Sequence, residues 1–267
     1  MTRLQTIQSS PNSPNKVAEV TLVFWAIKMM STTMGETGAD FLIFKLHWGL
    51  IITSCVMVLP LLVVLLAQIQ IRTYQHWLYW LAVVLVSIVG TLITDMLTDY
   101  CHVPLALSSS LFSVLLITVF IMWYRQEGTL SIRSVNTRKR ELFYWLTILI
   151  TFALGTALGD WISEGLNWGY LVATSIFTLL ILLVAVAQYR FKVNTITFFW
   201  IAYVLTRPLG ASIGDLLSHS AKKGGLGFGT TNTSLVFLII IIALVMYLTI
   251  VDKTASKNKT VSMGADA

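Results

Sequence analysis

Four aspartates stand at one fixed place in a phrase that recurs along this chain: a Trp, a Gly ten residues on, and an Asp five beyond it. The copies are Trp25–Gly35–Asp40, Trp80–Gly90–Asp95, Trp145–Gly155–Asp160 and Trp200–Gly210–Asp215, and an aromatic residue (Phe24, Tyr79, Tyr144, Phe199) precedes each Trp. Every copy lies in an apolar stretch. A carboxylate among hydrocarbon is expensive, and it marks an ion path, a proton path or a buried ion pair. Four of them in register point to one shared site.

Helical stepping enlarges that site. Residues four apart share a helix face, so counting by four through each Asp traces a polar stripe. It reads Thr32, Glu36, Asp40 in the first copy and Ser87, Thr91, Asp95, Asp99 in the second. The third copy reads Thr156, Asp160, Glu164 beyond Phe152, and the fourth reads Arg207, Ala211, Asp215, His219. Lys28 lies one step behind Thr32. Polar groups so regularly placed in apolar helices must face the inside of a bundle, because lipid leaves them unsatisfied. The stripe holds seven acids (Glu36, Asp40, Asp95, Asp99, Asp160, Glu164, Asp215) and two bases (Lys28, Arg207), a balance of −5. Either some carboxyls stay protonated or a cation neutralises them. Each base could pair with one acid, which would make part of the array structural but leaves five acids unaccounted for.

Asp95 and Asp160 are the expected metal ligands. Each has an acid four residues on and a hydroxyl four residues back, Thr91 or Thr156, with no base on its own helix. Carboxylate and hydroxyl oxygens suit hard divalent ions. His102 and His219 could add softer ligands, although an interfacial histidine is the commoner situation.

The elements that must carry these residues follow from composition. Of 267 residues, 56% are hydrophobic and 11% charged, about half the charged share of a soluble domain. Apolar stretches of membrane-spanning length occur at about 18–43, 48–71, 77–99, 105–123, 142–164, 168–189, 196–218 and 232–251. The fold class expected is therefore an all-α membrane protein with eight transmembrane helices, built from four two-helix repeats in parallel orientation. Copies one and three are 120 residues apart, as are two and four, which predicts two pseudo-symmetric halves. The expected organisation is a cytoplasmic tail (1–17), a first four-helix half (18–123), a basic linker (124–141), a second half (142–251) and a tail (252–267).

Small residues sit five before and one before each Asp: Gly35/Ala39, Gly90/Thr94, Gly155/Gly159 and Gly210/Gly214. This spacing lets helix backbones approach closely, so the odd-numbered helices are expected to meet beside the carboxylates. Pro208 is expected to kink the seventh helix. Hydroxyls recur fourteen and fifteen residues after the Asp (Ser54, with Cys55 beside it, then Ser109-Ser110, Thr174-Ser175, and Thr233-Ser234 once the Gly-rich Lys223–Gly229 insertion is allowed for), and they either bond their own backbone or add oxygens to the site. Trp25, Trp80, Trp145 and Trp200 fall near one end of their helices, as an interfacial aromatic belt would.

Of the basic residues, thirteen lie on the side of the N-terminus and three (Lys45, Lys222, Lys223) on the other. The positive-inside rule then places both termini in the cytoplasm and the Asp residues in the outer half. Topology accounts for the net charge of +6, and a nucleic-acid partner is not expected. Cys55 and Cys101 form neither a disulfide framework nor a zinc motif.

The Trp–Gly–Asp register resembles a family of bacterial membrane proteins made of four tandem two-helix repeats with a characteristic Trp in each, a repeat of unknown function whose members include proteins labelled membrane-anchored. The resemblance spans about residues 18–251, and Trp25, Trp80, Trp145 and Trp200 match the family's Trp. It implies a multi-pass inner-membrane protein and no particular activity. The site residues instead predict a secondary transporter or exporter of a cation, a divalent metal before an organic cation; a non-transporting scaffold or sensor is the alternative. Nucleophile elbow, HExxH, P-loop and cofactor fingerprint are all missing from the sequence, so neither an enzyme nor a cofactor is expected. The expected partners are the bilayer and a small cationic substrate.

Overall fold

The computed structural model describes residues 15–192 and 194–265. Eight α-helices carry them: α1 Leu22–Asp40, α2 Gly49–Gln70, α3 His76–Asp95, α4 Leu105–Glu127, α5 Arg138–Asp160, α6 Tyr170–Phe191, α7 Thr195–Ser218 and α8 Thr230–Ala265. No strand occurs among the described residues. Local chemistry starts several helices: Thr21, Thr137 and Asn194 each accept a hydrogen bond from a first-turn amide through the side chain. Gly128, left-handed at φ 70°, ends α4. Seven of the eight are long and apolar enough to cross a membrane. The exception is α1, which carries Lys28, Glu36 and Asp40 in 19 residues. α7 runs through Pro208 as one continuous helix, and α8 continues past residue 251 to Ala265.

The odd-numbered helices form an inner ring. α1 packs on α3, α3 on α5, α5 on α7, and α7 back on α1. Each even helix lies outside this ring against the odd helix of the next repeat: α2 on α3, α4 on α5, α6 on α7, α8 on α1. The four repeats are thus related by an approximate four-fold rotation about one axis. The contacts that join the first two repeats to the last two, α3 with α5 and α7 with α1, are of the same kind as α1 with α3. Burial separates the two layers: 61–72% of the apolar stretch is buried in α3, α5 and α7, against 11–28% in α2, α4, α6 and α8. The outer helices present Leu59, Val63, Val114, Leu171 and Ile250 outward, a surface matched to hydrocarbon.

The repeated glycine lets the ring close. A Cβ on Gly35 would collide with Ser87, one on Gly90 with Phe152, one on Gly155 with Arg207, and one on Gly210 with Thr32. Each of these knobs stands eight residues before the Asp of its own repeat. The pattern runs round the ring and returns to its start, as small-residue packing requires when four backbones converge.

At the Trp end the ring is sealed by aromatics. Phe24 meets Trp80 (5.5 Å between centroids), Tyr79 meets Trp145 (5.6 Å), Tyr144 meets Trp200 (6.3 Å) and Phe199 meets Trp25 (5.8 Å). The Tyr79 and Tyr144 hydroxyls are 2.5 Å apart. Trp80, Trp145 and Trp200 are buried and Trp25 half-buried, which corrects the expectation of an interfacial belt. The indoles turn inward because the preceding aromatic of each neighbouring repeat supplies a partner inside the ring.

Beneath this collar lie the N-terminal segment and the α4–α5 connection. Lys16 Nζ reaches Glu141 (2.5 Å) and the carbonyls of Gln68 and Ile69 (3.1 Å each), with both charged side chains buried. Lys16 N–H donates to the Val135 carbonyl at 3.0 Å, and Trp200 Nε1 donates to that of Leu130 at 2.9 Å. Residues 15–20 therefore strap the base of the ring, while 1–14 lie outside the described residues. The basic connection is held as well, by Arg140 on Glu127 (2.8 Å) and on the Ser134 carbonyl (2.9 Å).

Candidate functional site at the axis

Counting back by four from the aspartates gives successive layers around the axis. Four before stand Glu36, Thr91, Thr156 and Ala211; eight before, Thr32, Ser87, Phe152 and Arg207; twelve before, Lys28, Val83, Ile148 and Tyr203. All twelve are buried. The i+4 stripe read from the sequence is therefore the lining of the ring.

Arg207 occupies the centre. Its Nη2 lies 3.0 Å from Glu36 Oε2, 2.6 Å from Thr91 Oγ1 and 2.7 Å from Thr156 Oγ1, so one guanidinium nitrogen touches all three other repeats. Nη1 donates to the Thr32 carbonyl at 3.3 Å, and the Thr91 and Thr156 hydroxyls donate to Glu36 at 3.2 and 3.3 Å. The guanidinium stays charged in proteins, and only a partner with several hydrogen bonds makes a buried charge tolerable. Ala211 stands in the layer where the other repeats carry Glu or Thr. Arg207 is the residue to which the sequence reading assigned too little: one conspicuous base, four residues before an alanine gap in the stripe, was the available signal.

Lys28 is engaged differently from Arg207. Among the described residues it pairs with no acid. Its ammonium donates to Thr206 Oγ1 (2.8 Å) and the Tyr203 carbonyl (3.3 Å) and stands 4.1 Å from the Tyr203 ring centroid. Glu36 is eight residues further along α1, about 12 Å of helix, and is already taken by Arg207.

The four aspartates ring the opposite end. Asp215 is buried, and Asp40, Asp95 and Asp160 are half-buried. Each lies within electrostatic reach of Glu36 and of at least one further acid. None of the four carboxylates accepts a hydrogen bond from a described protein donor. In contrast, Glu36 accepts three.

Asp40, Asp95 and Asp160 each end their α-helix, and a five-residue π-helical turn comes next: Phe41–Lys45, Met96–Tyr100 and Trp161–Gly165. Each is closed by an amide bonded five residues back, as Leu46 N–H to the Phe41 carbonyl at 3.1 Å. His47, His102 and Asn167, seven residues after the Asp, then take φ of 55–56° to turn the chain. A π turn holds more residues than an α turn and so rotates the side chains within and beyond it away from the α-helical phase. Asp99 and Glu164 therefore leave the stripe and are exposed at the mouth, Glu164 accepting from the Tyr170 hydroxyl at 2.6 Å. This corrects the continuous ladder expected on α3 and α5. α7 has no such turn, and His219 stays over Asp215, with Nδ1 3.8 Å from Oδ1.

The metal-like grouping is consequently not the expected one. Ligand atoms of Asp40, Asp215 and His219 lie within 4.8 Å of one another, and among the described residues Asp95 and Asp160 belong to no such group. His102, exposed beyond the π turn, is in none either. The hydroxyls of the even helices mostly serve their own backbone: Ser54, Ser110, Ser175 and Thr233 each donate to the carbonyl four residues back. Ser234 instead donates to Thr37 at 2.8 Å, tying α8 to α1. These helices lie outside the ring, too far out to line its axis. Cys55 and Cys101 are free and exposed.

Fold and site together define a membrane-like helical protein of internal repeats around one axial polar site. The chain belongs to the family described as Repeat of Unknown Function (DUF347), which matches residues 23–74, 78–129, 143–194 and 198–254. Those four segments coincide with the four helix pairs, as the resemblance implied. No curated protein and no solved structure matches the chain.

Proposed function

We propose that the protein is a multi-pass membrane transporter that carries a cation, with divalent metals favoured, through the acid ring at the end of its axis. The observation that carries this reading is the unbalanced ring: four aspartates converge there without a hydrogen-bond donor from the described residues, while Arg207 is committed to Glu36. A cation supplies the missing charge and takes the free oxygen lone pairs. All eight helices span in this reading, α1 included, because its charged side chains turn to the axis and away from lipid. The 120-residue offset between repeats is then a record of two duplicated halves that close as one ring.

The charge bias supports a cytoplasmic Trp end and cytoplasmic termini, with a bacterial inner membrane as the proposed setting. The acid ring then faces outward. Below it the Arg207 network and the aromatic collar close the path, as in one limb of an alternating-access cycle. The deciding experiment is flux into proteoliposomes. Asp95→Asn with Asp160→Asn keeps side-chain size and removes two charges, and should abolish cation-dependent flux while yield and folding persist. Unchanged flux in the double variant rejects the acid-ring mechanism, and a wild type without cation-dependent flux favours the scaffold.

A further inference from the structure

We propose that Asp40, Asp215 and His219 form a binding site for a divalent first-row transition-metal ion, at the seam where the fourth repeat closes on the first. This rests on the acid ring described above but names different ligands and a narrower substrate class. Two carboxylates and an imidazole, with no thiolate or thioether, suit Mn²⁺, Fe²⁺, Co²⁺ or Zn²⁺ better than Cu⁺; an all-oxygen site would suit Mg²⁺ or Ca²⁺.

Two features beyond the grouping point to a ligand. The Asp215 side chain is only 8% exposed, accepts no hydrogen bond from a described donor, and faces His219 at 3.8 Å, too long for one. His219 is held in place from both sides. Its ring stacks on Tyr170 (4.9 Å, 23°), whose hydroxyl is fixed by Glu164. Its carbonyl accepts from Gly227 N–H at 2.8 Å, and a Cβ on Gly225 would collide with it. Those glycines belong to the insertion that only the fourth repeat carries. A supported imidazole beside two carboxylates is how metal ligands are oriented.

The geometry is close to binding. The three ligand atoms lie within 4.8 Å of one another, whereas bonds of about 2.1 Å to a tetrahedral ion need edges of about 3.4 Å. Rotation of the Asp40 and Asp215 carboxylates towards the fixed imidazole is the movement that binding requires. Asp40 and His219 are partly exposed, so water can fill the remaining positions and the ion can exchange. Exchange suits a transported ion and not a structural one.

The test uses purified full-length protein in detergent, titrated with Co²⁺ and followed by visible absorption, with Mn²⁺ followed by paramagnetic resonance. One equivalent of Co²⁺ should bind with an imidazole-containing spectrum. Asp215→Asn and His219→Gln should each weaken binding at least tenfold. Asp252→Asn, in the Asp–His pair with His76 at the opposite end, should change it less than twofold. His219 caps the end of α7 and is partly exposed, so His219→Gln should elute as the wild type in gel filtration. Wild-type Co²⁺ affinity in both site variants overturns the proposal, as does a wild type that binds no Co²⁺. Flux separates the two readings. Flux with an intact response to Asp95→Asn and Asp160→Asn, but no His219-dependent Co²⁺ binding, overturns this site and leaves transport. His219-dependent binding without flux overturns transport and leaves the site.

Discussion

Gly210→Ala tests whether the ring closes as described. The added methyl would meet Thr32 Oγ1, come within 2.5 Å of Thr32 Cβ, and stand 3.2 Å from the Thr33 amide nitrogen. Thr32 cannot swing aside freely, because its hydroxyl donates to the Met29 carbonyl at 2.6 Å and β-branched rotamers are restricted on a helix. Overpacking costs about 1–3 kcal/mol, and a 2.5 Å contact belongs at the upper end. Alanine's better helix propensity returns about 1 kcal/mol. The net loss is about 2 kcal/mol, a fall in Tm of roughly 4–8 °C for a chain of this size. Thermal unfolding in detergent measures it. Gly38→Ala is the control on α1, since its methyl would find Met34 Cε at an ordinary 3.5 Å, and it should melt no lower than wild type. Combining Gly210→Ala with Thr32→Gly removes the colliding side chain, so the pair should recover at least about 1 kcal/mol relative to additivity. A wild-type Tm for Gly210→Ala, or strict additivity in the pair, would refute the interlocked ring.

Two more outcomes concern buried charges. Arg207→Met strands Glu36 among hydroxyls and should destabilise by about 3–5 kcal/mol, whereas adding Glu36→Gln should restore much of that loss; denaturation of the three variants decides it. Lys16→Met should free the strap under the aromatic collar, speeding amide exchange in residues 16–20 at least tenfold. Glu141→Gln, which keeps an acceptor for Lys16, should do less, and equal exchange in all three proteins would show that the ion pair does not hold the segment.

Repeats, helices and the polar stripe were all legible in the sequence, because they depend on local periodicity. The Trp–Gly–Asp interval set the helical phase, and counting by four from Asp40, Asp95, Asp160 and Asp215 named residues that do line the axis. The glycine rows were equally readable, since four backbones cannot converge around larger side chains. Tertiary structure decided everything that depends on which faces meet. Apolar side chains look alike whether they face lipid or a neighbouring helix, so the burial of Trp80, Trp145 and Trp200 could not be read from hydropathy. Whether Arg207 or Lys28 would hold Glu36 depended on α7 lying against α1, a contact between residues 171 positions apart. Asp99 and Glu164 left the stripe because the chain relaxes into a π turn after the Asp in three repeats. The fourth repeat keeps its helix to Ser218, and that difference brings His219 over Asp215 and, through ring closure, beside Asp40. Helical phase is written in neighbouring residues, but ring closure joins the chain's two ends and is settled only when all four repeats have packed.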